Sequence, residues 1–289
     1  MSANPAIFDR KLLRLRQDRA RRQGPETFLI DRVAAELGER LSAVLRTFDR
    51  AADLGTPTDA LRRVLAESGK AATIVGAHNL VADEEALPFA EASLDLVVSA
   101  LALQFVNDLP GTLIQVRRAL KPDGLLLAAL IGGDSLSELR TAFAEAESEI
   151  EGGVSPRVSP FADLRDLGTL MQRAGFALPV VDSDRLTVRY ANVFALMRDL
   201  RRMGATNVLH ERRRTPLQRA TLAKMAEIYA RRFADSDGRL RATFEIAWLS
   251  GWTPHASQQK PLKPGSATQR LADALGSHEI STGEKAGPK

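Results

Sequence analysis

Two runs of mostly apolar residues stand out in the hydrophobic pattern of this chain. Residues 94–100 (LDLVVSA) and 124–131 (GLLLAALI) do not alternate between apolar and polar positions, as a strand with one solvated face would. A strand inside a parallel sheet is covered by helices on both faces and therefore reads as a continuous apolar run. The pattern predicts that both segments are interior strands.

Strand-like and helix-like segments alternate on either side of these runs. Further strands are predicted at 49–54, 71–75, 79–82, 178–190 and 242–252. Apolar residues at helical spacing predict helices at 58–68, 108–120, 135–150, 161–174, 192–203 and 215–233, and two more before the first strand, at 8–23 and 26–45. The alternation predicts an α/β fold in which helices cover both faces of a mostly parallel sheet.

The chain divides into three regions by composition. We predict an N-terminal basic helical segment (1–48), an α/β domain (49–255) with a helical insert near 191–233, and an extended, partly disordered tail (256–289). A chain of 289 residues with 44% hydrophobic content is long enough to bury one large core. We therefore expect a single main domain with additions at both ends.

Composition excludes several kinds of site. The chain has no cysteine, which rules out disulfides, thiolate metal ligands and a cysteine nucleophile. Its four histidines have no paired spacing, so no metal site is expected within one motif. No apolar run approaches the length of a membrane span, and the N-terminus lacks an apolar signal core. We therefore expect a cytoplasmic protein without a membrane span.

Basic residues are concentrated near the N-terminus. Residues 10–22 contain seven arginine or lysine residues against one acid, Asp18, although the net charge of the chain is only +4. A second cluster lies at 212–214. Such runs bind nucleic acid, an acidic protein or another anionic surface, or form a solvated helix face. Because aromatic residues are not interleaved, nucleic acid is disfavoured, and we expect 10–22 to bind a partner rather than stabilise the core.

Several segments of the chain resemble one protein family. Four of them are similar to class I S-adenosylmethionine-dependent methyltransferases: DLG (53–55), VADEEALPF (81–89), LDLVVSALALQFVNDLPG (94–111) and ALKPDGLLLAAL (119–130). They look most like the branch that contains the malonyl-carrier-protein methyltransferases of biotin synthesis. Three later segments, at 132–140, 151–176 and 251–267, resemble bacterial relatives of a mitochondrial complex I assembly factor of the same fold. The resemblance covers nearly the whole chain from Phe8 to Ala267.

The resemblance implies a Rossmann-like, seven-stranded methyltransferase fold that is truncated around its second strand. Members of this family bind S-adenosylmethionine across the carboxyl ends of the strands. By resemblance, seven residues bind the cofactor: Asp53 and Gly55 beside its methionine part, Asp83 at the adenine amino group with Glu84 next to it, and Ser99, Ala100 and Leu101 where the fourth strand ends.

Two departures from the family pattern lead us to expect weak or absent binding of S-adenosylmethionine. Pro57 and Asp59 follow Gly55, where family members with intact sites have further glycines that let the backbone approach the ligand. Only five residues separate Val75 from Val81, too few for a crossover helix between parallel strands. None of the five is the acid that binds the ribose in the family.

For two smaller motifs the sequence leaves open whether the role is structural or functional. Residues 132–134 either form a turn in which Asp134 caps the following helix, or contribute to the site at the end of the strand. His255 follows the last predicted strand, in a segment that matches the family, and is a candidate for a functional role.

The resemblance leaves two interpretations of the function. The first is an S-adenosylmethionine-dependent methyltransferase-family protein that acts on a protein substrate and has a degenerate cofactor site. The alternative is a respiratory complex I assembly factor that hydroxylates an arginine of a subunit or has no catalytic activity. Both interpretations imply a protein partner. Because methyl transfer depends mainly on positioning, the sequence assigns no catalytic residue.

Overall fold

The structure is a computed structural model, and it describes residues 6–76, 83–259, 273 and 275–278. The chain divides into two units, residues 1–254 and residues 255–289. Within the first unit, the described residues form one six-stranded sheet. Its strands are β1 (Phe48–Asp53), β2 (Ala71–Val75), β3 (Leu94–Ala100), β4 (Leu120–Ile131), β5 (Ala177–Tyr190) and β6 (Leu240–Trp252).

The strand order in the sheet is β2-β1-β3-β4-β6-β5. The first four strands are parallel, whereas β6 runs antiparallel to both β4 and β5. The predicted α/β class and mostly parallel sheet are therefore confirmed. The remaining predicted strand, 79–82, lies outside the described residues.

Eight helices accompany the strands in the described part of the chain. They are α1 (Arg10–Gln23), α2 (Phe28–Ser42), α3 (Ala60–Ser68), α4 (Leu109–Ala119), α5 (Ser137–Glu151), α6 (Leu164–Arg173), α7 (Val193–Arg202) and α8 (Arg219–Phe233). A 3-10 turn, Leu103–Phe105, follows β3. Among the residues that the structure describes, no helix combines the length and the apolar composition needed to cross a membrane.

The interior strands are buried on both faces, as their sequences predict. Every residue of β3 is buried. Alternate side chains of a strand point to opposite faces, and Leu96 and Val98 accordingly join one hydrophobic cluster while Val97 joins another. The first cluster contains residues of α2, α3, α5, α7 and α8, and the second contains residues of α4 and α6. The result is a three-layer arrangement in which the carboxyl ends of β1 to β4 meet at one edge.

Candidate functional site at the carboxyl edge of the sheet

Asp53 ends β1 as a buried carboxylate. Its side chain is only 1% exposed, and neither oxygen forms a hydrogen bond of good geometry with another described residue. Burial raises the pKa of Asp53 to about 6, against the weaker opposing interactions of Thr56 and of Arg62, whose Nη1 lies 3.9 Å from Oδ2. A buried carboxylate with only such weak partners is costly unless a ligand brings it a donor. The side chain is therefore suited to a ligand that supplies a hydrogen-bond donor or a positive charge.

The loop after Asp53 is fixed by the end of β3. Ser99 Oγ donates to the Leu54 carbonyl at 2.7 Å, and the Ala100 amide donates to Thr56 Oγ1 at 3.0 Å. Both Ser99 and Ala100 are fully buried, so they shape the loop from behind. Gly55 lies within this loop at φ +74°, a conformation that only glycine adopts without strain.

Glu84 covers the open side of Gly55. A Cβ atom at Gly55 would lie 2.5 Å from Glu84 Oε1 and 3.0 Å from the Cβ atom of Ala102. The family resemblance places the methionine part of S-adenosylmethionine beside Gly55. The carboxylate of Glu84 therefore occupies space that such a ligand would need.

Arg10 holds Glu84 in that position. Its guanidinium forms an ion pair with Glu84, and its Nη1 lies 3.1 Å from both Asp83 Oδ1 and Glu85 Oε1. Arg14 adds a contact of 3.0 Å to Asp83 Oδ2. Although burial opposes it, the Glu85 amide and the two arginines lower the pKa of Asp83. The predicted adenine-binding acid is thus already paired within the chain.

Helix α1 is docked over the edge of the sheet. Leu13 is buried against a small cluster that contains Phe105 and Val208. The Asp9 amide donates to the Val208 carbonyl at 2.8 Å, and the ring of Phe8 meets that of Phe105 edge to face. Segment 10–22 therefore does not act as a free basic arm, which differs from the expectation that it contributes little to the core.

A basic group from α3 lies at the end of β2. Gly76 follows β2, and a Cβ atom there would lie 2.8 Å from Cδ and 3.0 Å from Nη1 of Arg62. Arg62 comes from α3, and its side chain is 16% exposed. The described residues supply no carboxylate at this strand end except Asp53 from the neighbouring strand.

A cavity of about 100 Å³ lies next to the covered loop. Pro57, Leu101, Ile131 and Phe161 are among the apolar residues that line it, and the lining residues contributed by α1 include Gln17, Ala20 and Arg21. Glu26 is its lining carboxylate within the described residues, and its Oε2 lies 3.6 Å from Nη1 of Arg202. The cavity is therefore mostly apolar, with a few polar groups at one side.

Two strained backbone positions border this cavity. Leu101 has φ +52° and Leu136 has φ +54°, although neither residue is glycine. Leu101 follows β3 and Leu136 precedes α5, so both lie at the carboxyl edge of the sheet. Backbone strain of roughly 1–3 kcal/mol per residue is concentrated at functional sites. The strain thus marks the same edge as the buried Asp53.

The structure brings some of the predicted residues together and separates others. Gly55 and Glu84 are in contact, Asp53 lies below the loop, and Leu101 lines the cavity, whereas Ser99 and Ala100 are buried behind the loop. Asp83 faces the arginines of α1.

Three residues that shape the edge were not singled out from the sequence: Arg10, Glu26 and Arg62. Arg10, Arg14, Gln17 and Arg21 repeat at helical spacing and all line the edge, so this repeat could have identified the inner face of α1. The sequence contains no comparable signal for Arg62, whose contacts come from separate strand ends.

Each of the two smaller motifs makes contacts within its own unit. Asp134 pairs with Arg185, and α5 begins at Ser137 after Leu136, so the interpretation of Asp134 as the helix cap is wrong. The turn closes earlier because the Asp134 amide donates to Glu245 Oε2 at 2.9 Å. In the second unit, Nδ1 of His255 lies 2.6 Å from Ser257 Oγ.

Sequence comparisons identify the family of this chain. Residues 42–128 match the family model described as "Methyltransferase domain". The mitochondrial arginine-hydroxylase NDUFAF5 of Mus musculus is 38% identical over 301 residues, which cover 96% of this chain and 87% of the relative. The malonyl-[acyl-carrier protein] O-methyltransferase of Gallionella capsiferriformans is 34% identical over 280 residues, which cover 87% of this chain and 93% of the relative.

Solved structures share the fold at low sequence identity. The YcgJ protein from Bacillus subtilis matches with a TM-score of 0.51 and 14% identity, over 76% of this chain and 99% of that one. The fold and the two groups of curated relatives lead to one assignment. The chain belongs to the methyltransferase-domain family that includes the NDUFAF5 arginine-hydroxylases and the malonyl-[acyl-carrier protein] O-methyltransferases.

Proposed function

We propose that this protein modifies an arginine side chain of a protein partner, and that S-adenosylmethionine binds only when Glu84 moves away from Gly55. A subunit of respiratory complex I is the partner that the resemblance to the complex I assembly factor implies. The observation that carries the proposal is the apolar cavity at the carboxyl edge with the carboxylate of Glu26 in its wall. Its closest support outside the structure is the match to the arginine-hydroxylases along almost the whole chain.

The residues at the edge fit the methionine end of the cofactor. Asp53 offers a buried carboxylate that needs a donor, and Gly55 offers a backbone without a Cβ atom. S-adenosylmethionine would supply an electrophilic methyl group there. The ribose end fits less well, because Arg62 takes the place of the usual acid. Losing charged hydrogen bonds to the ribose lowers affinity by roughly ten- to a hundredfold.

Glu26 is the group suited to a guanidinium in the cavity. Carboxylates bind guanidinium groups through charge-assisted hydrogen bonds. Because Arg202 already lies 3.6 Å from Glu26, a substrate guanidinium would share Glu26 with Arg202 or displace it. The amides of Gln17 and Gln104 offer further acceptors in the same wall. The apolar walls would cover the aliphatic part of the arginine and exclude water.

The cavity offers less to a carboxylate substrate such as a malonyl group. Its two lining arginines are already engaged by the chain itself: Arg21 Nη1 donates to Asp18 at 2.7 Å, and Arg202 Nε donates to the Gly24 carbonyl at 2.8 Å. Each guanidinium already uses at least one N–H group in these bonds, so neither has all its donors free to bind a carboxylate through two parallel hydrogen bonds. The cavity therefore favours an arginine substrate over a carboxylate.

The proposal is tested by incubating the purified protein with candidate complex I subunits and either S-adenosylmethionine, as methyl donor, or dioxygen with a reductant, which balance insertion of one oxygen atom and formation of water, and mapping modified residues by mass spectrometry. The measurement distinguishes an added oxygen atom from an added methyl group. We expect modification of an arginine, strongly reduced by Glu26→Gln but not by Glu36→Gln, a control on α2 whose carboxylate pairs with Arg40. No modified arginine, or methyl transfer to a carboxylate, would contradict the proposal.

A further inference from the structure

The two sides of α1 use their arginines differently. On the inner side, Arg10 and Arg14 pair with the acids at 83–85, and Arg21 contacts Asp18 and the Pro57 carbonyl. On the outer side, Arg19 and Arg22 are exposed. The structure describes no ion pair for either of these two residues. Their charges are therefore available to something outside this part of the chain.

Helix α7 brings a further arginine to the same surface. A Cβ atom at Gly204, just after α7, would lie 2.9 Å from the Cα atom of Gln17, and the Glu26 amide donates to the Arg202 carbonyl at 3.3 Å. The last turn of α7 therefore lies against the second half of α1. Arg201 is exposed in this turn and has no ion pair within the described residues.

Arg19 and Arg201 are both close enough to Arg16 to repel it. Burial lowers the pKa of Arg16 first, and the neighbouring charges of Arg212, Arg19 and Arg201 lower it further. Arg16 and Arg212 have partners in the chain, namely the Asn207 carbonyl and Asp9, and Asp18, the acid within α1, pairs with Arg21. We name the exposed residues Arg19, Arg22 and Arg201 the outer arginine face. Such an excess of like charge is favourable only when an anion approaches it.

The outer arginine face lies on the same two helix segments as part of the cavity wall. Arg21 and Arg202 line the cavity, and they adjoin Arg22 and Arg201 in the sequence. A peptide that places an arginine in the cavity would reach the outer face by crossing one of these helices, a path of a few residues. Each extended residue spans about 3.3 Å, so acids close to the target arginine would reach these guanidinium groups.

We propose that the outer arginine face binds an acidic segment of the protein partner, with the carboxylates close in sequence to the arginine that enters the cavity. This inference rests on the proposed function. Nucleic acid is disfavoured because α1 contains no aromatic residue on which a base could stack. A lipid surface is disfavoured because Leu15 is the one large exposed apolar side chain described on α1, and a membrane-surface helix needs a broad apolar face.

Fluorescence anisotropy with a labelled peptide tests the inference. The peptide contains one arginine flanked by glutamates, and its control contains glutamines in their place. The test variant is Arg19→Glu/Arg22→Glu/Arg201→Glu. The matched control is Arg118→Glu/Arg165→Glu/Arg173→Glu, which changes three exposed arginines of α4 and α6, helices that pack in the other hydrophobic cluster. Thermal unfolding confirms that both variants fold.

We expect the glutamate peptide to bind in a salt-sensitive manner and to lose about tenfold or more in affinity with the test variant only. The inference would be overturned if the glutamate peptide bound the test variant as tightly as the control variant. It would also be overturned if the glutamine peptide bound the wild type as tightly as the glutamate peptide does. Tighter binding of single-stranded RNA or of vesicles with anionic lipid, lost in the same variant, would overturn it in favour of those partners. Binding is measured without any modification step, so failure of the proposed function would leave this result interpretable.

Discussion

The interior of the sheet and its carboxyl edge differ in the kind of residue that they bury. In β3 and in residues 124–130 of β4 every residue is buried and most are apolar, and alternate residues serve two hydrophobic clusters. At the edge, a few residues away, the chain buries the Asp53 carboxylate with Arg62 only 3.9 Å away as its counter-charge, and holds Glu84 against Gly55 through Arg10. The interior uses its residues for stability, whereas the edge carries groups that are unfavourable until a ligand arrives.

This contrast explains why many residues of the sequence together determine the fold, whereas a few individual residues determine the site. Apolar burial is additive over many residues, so no single contact decides the fold. The edge depends on individual charges, each with an alternative partner. A protein that evolved only for stability would not keep a buried carboxylate that is so weakly paired.

The largest effect should come from the interior. Leu126 is fully buried in β4, and Leu126→Ala should lower the free energy of unfolding by about 2–5 kcal/mol, because it leaves a cavity. Ile114, on α4, is 48% exposed, and Ile114→Ala is the matched surface control. Urea unfolding checks both variants. Equal losses would mean that the sheet interior is not packed as described.

The next prediction concerns Asp53, whose substitution should raise the free energy of unfolding by an amount that depends on pH. Since burial raises the pKa of Asp53 from 3.8 to about 6, the folded protein is penalised for ionising this group. Asp53→Asn should therefore increase the free energy of unfolding at pH 7 by roughly 1–3 kcal/mol. The same substitution should weaken binding of any ligand that donates to Asp53.

The pH range over which Asp53 affects stability follows from its pKa in the unfolded protein and its pKa in the folded protein. Well below pH 3.8 the carboxyl group is protonated in both the folded and the unfolded protein, so the variant has no advantage. The wild type loses stability relative to the variant as the pH rises from 3.8 to about 6, and at higher pH the difference is complete. Unfolding experiments at several pH values measure this difference. A constant difference across the range would contradict the buried carboxylate.

A smaller effect on stability distinguishes Arg10 from Glu84 in the group of ion pairs that Arg10 forms with the acids at 83–85. Arg10 lies near three carboxylates, and its side chain is 14% exposed. Arg10→Ala should cost about 1–3 kcal/mol, because it leaves those acids close together without a cation. Glu84→Ala should cost less than about 1 kcal/mol, since Arg10 keeps Asp83 and Glu85. The reverse order in chemical denaturation would show that Glu84, not Arg10, organises the cluster.

The regular parts of the fold were predictable because their signals are local. Segments 71–75 and 94–100 begin and end as strands where their sequences predict. β4 begins at Leu120 rather than at residue 124, because Leu120 pairs with Leu94 in the neighbouring strand. That extension depends on a contact between strands, which hydrophobic periodicity does not reveal.

The candidate site was predictable only in part. Sequence motifs indicated Asp53, Gly55 and the acids at 83–85, but not what those acids contact. Arg10 lies 74 residues before Glu84, and a surplus of basic residues in one segment does not tell which side of the helix is buried. The opposite roles of the two sides of α1 therefore follow from its docking on Phe105 and Val208.

The central claim is that Glu84 competes with the cofactor for the space beside Gly55. Calorimetric titration of S-adenosylmethionine into the wild type, Glu84→Ala and the control Glu91→Ala, an exposed acid of the same region, tests it most directly. We predict weak binding to the wild type and to Glu91→Ala, and binding at least about tenfold tighter to Glu84→Ala. Low-micromolar binding to the wild type that Glu84→Ala weakens would contradict the claim and make Glu84 a cofactor-binding residue.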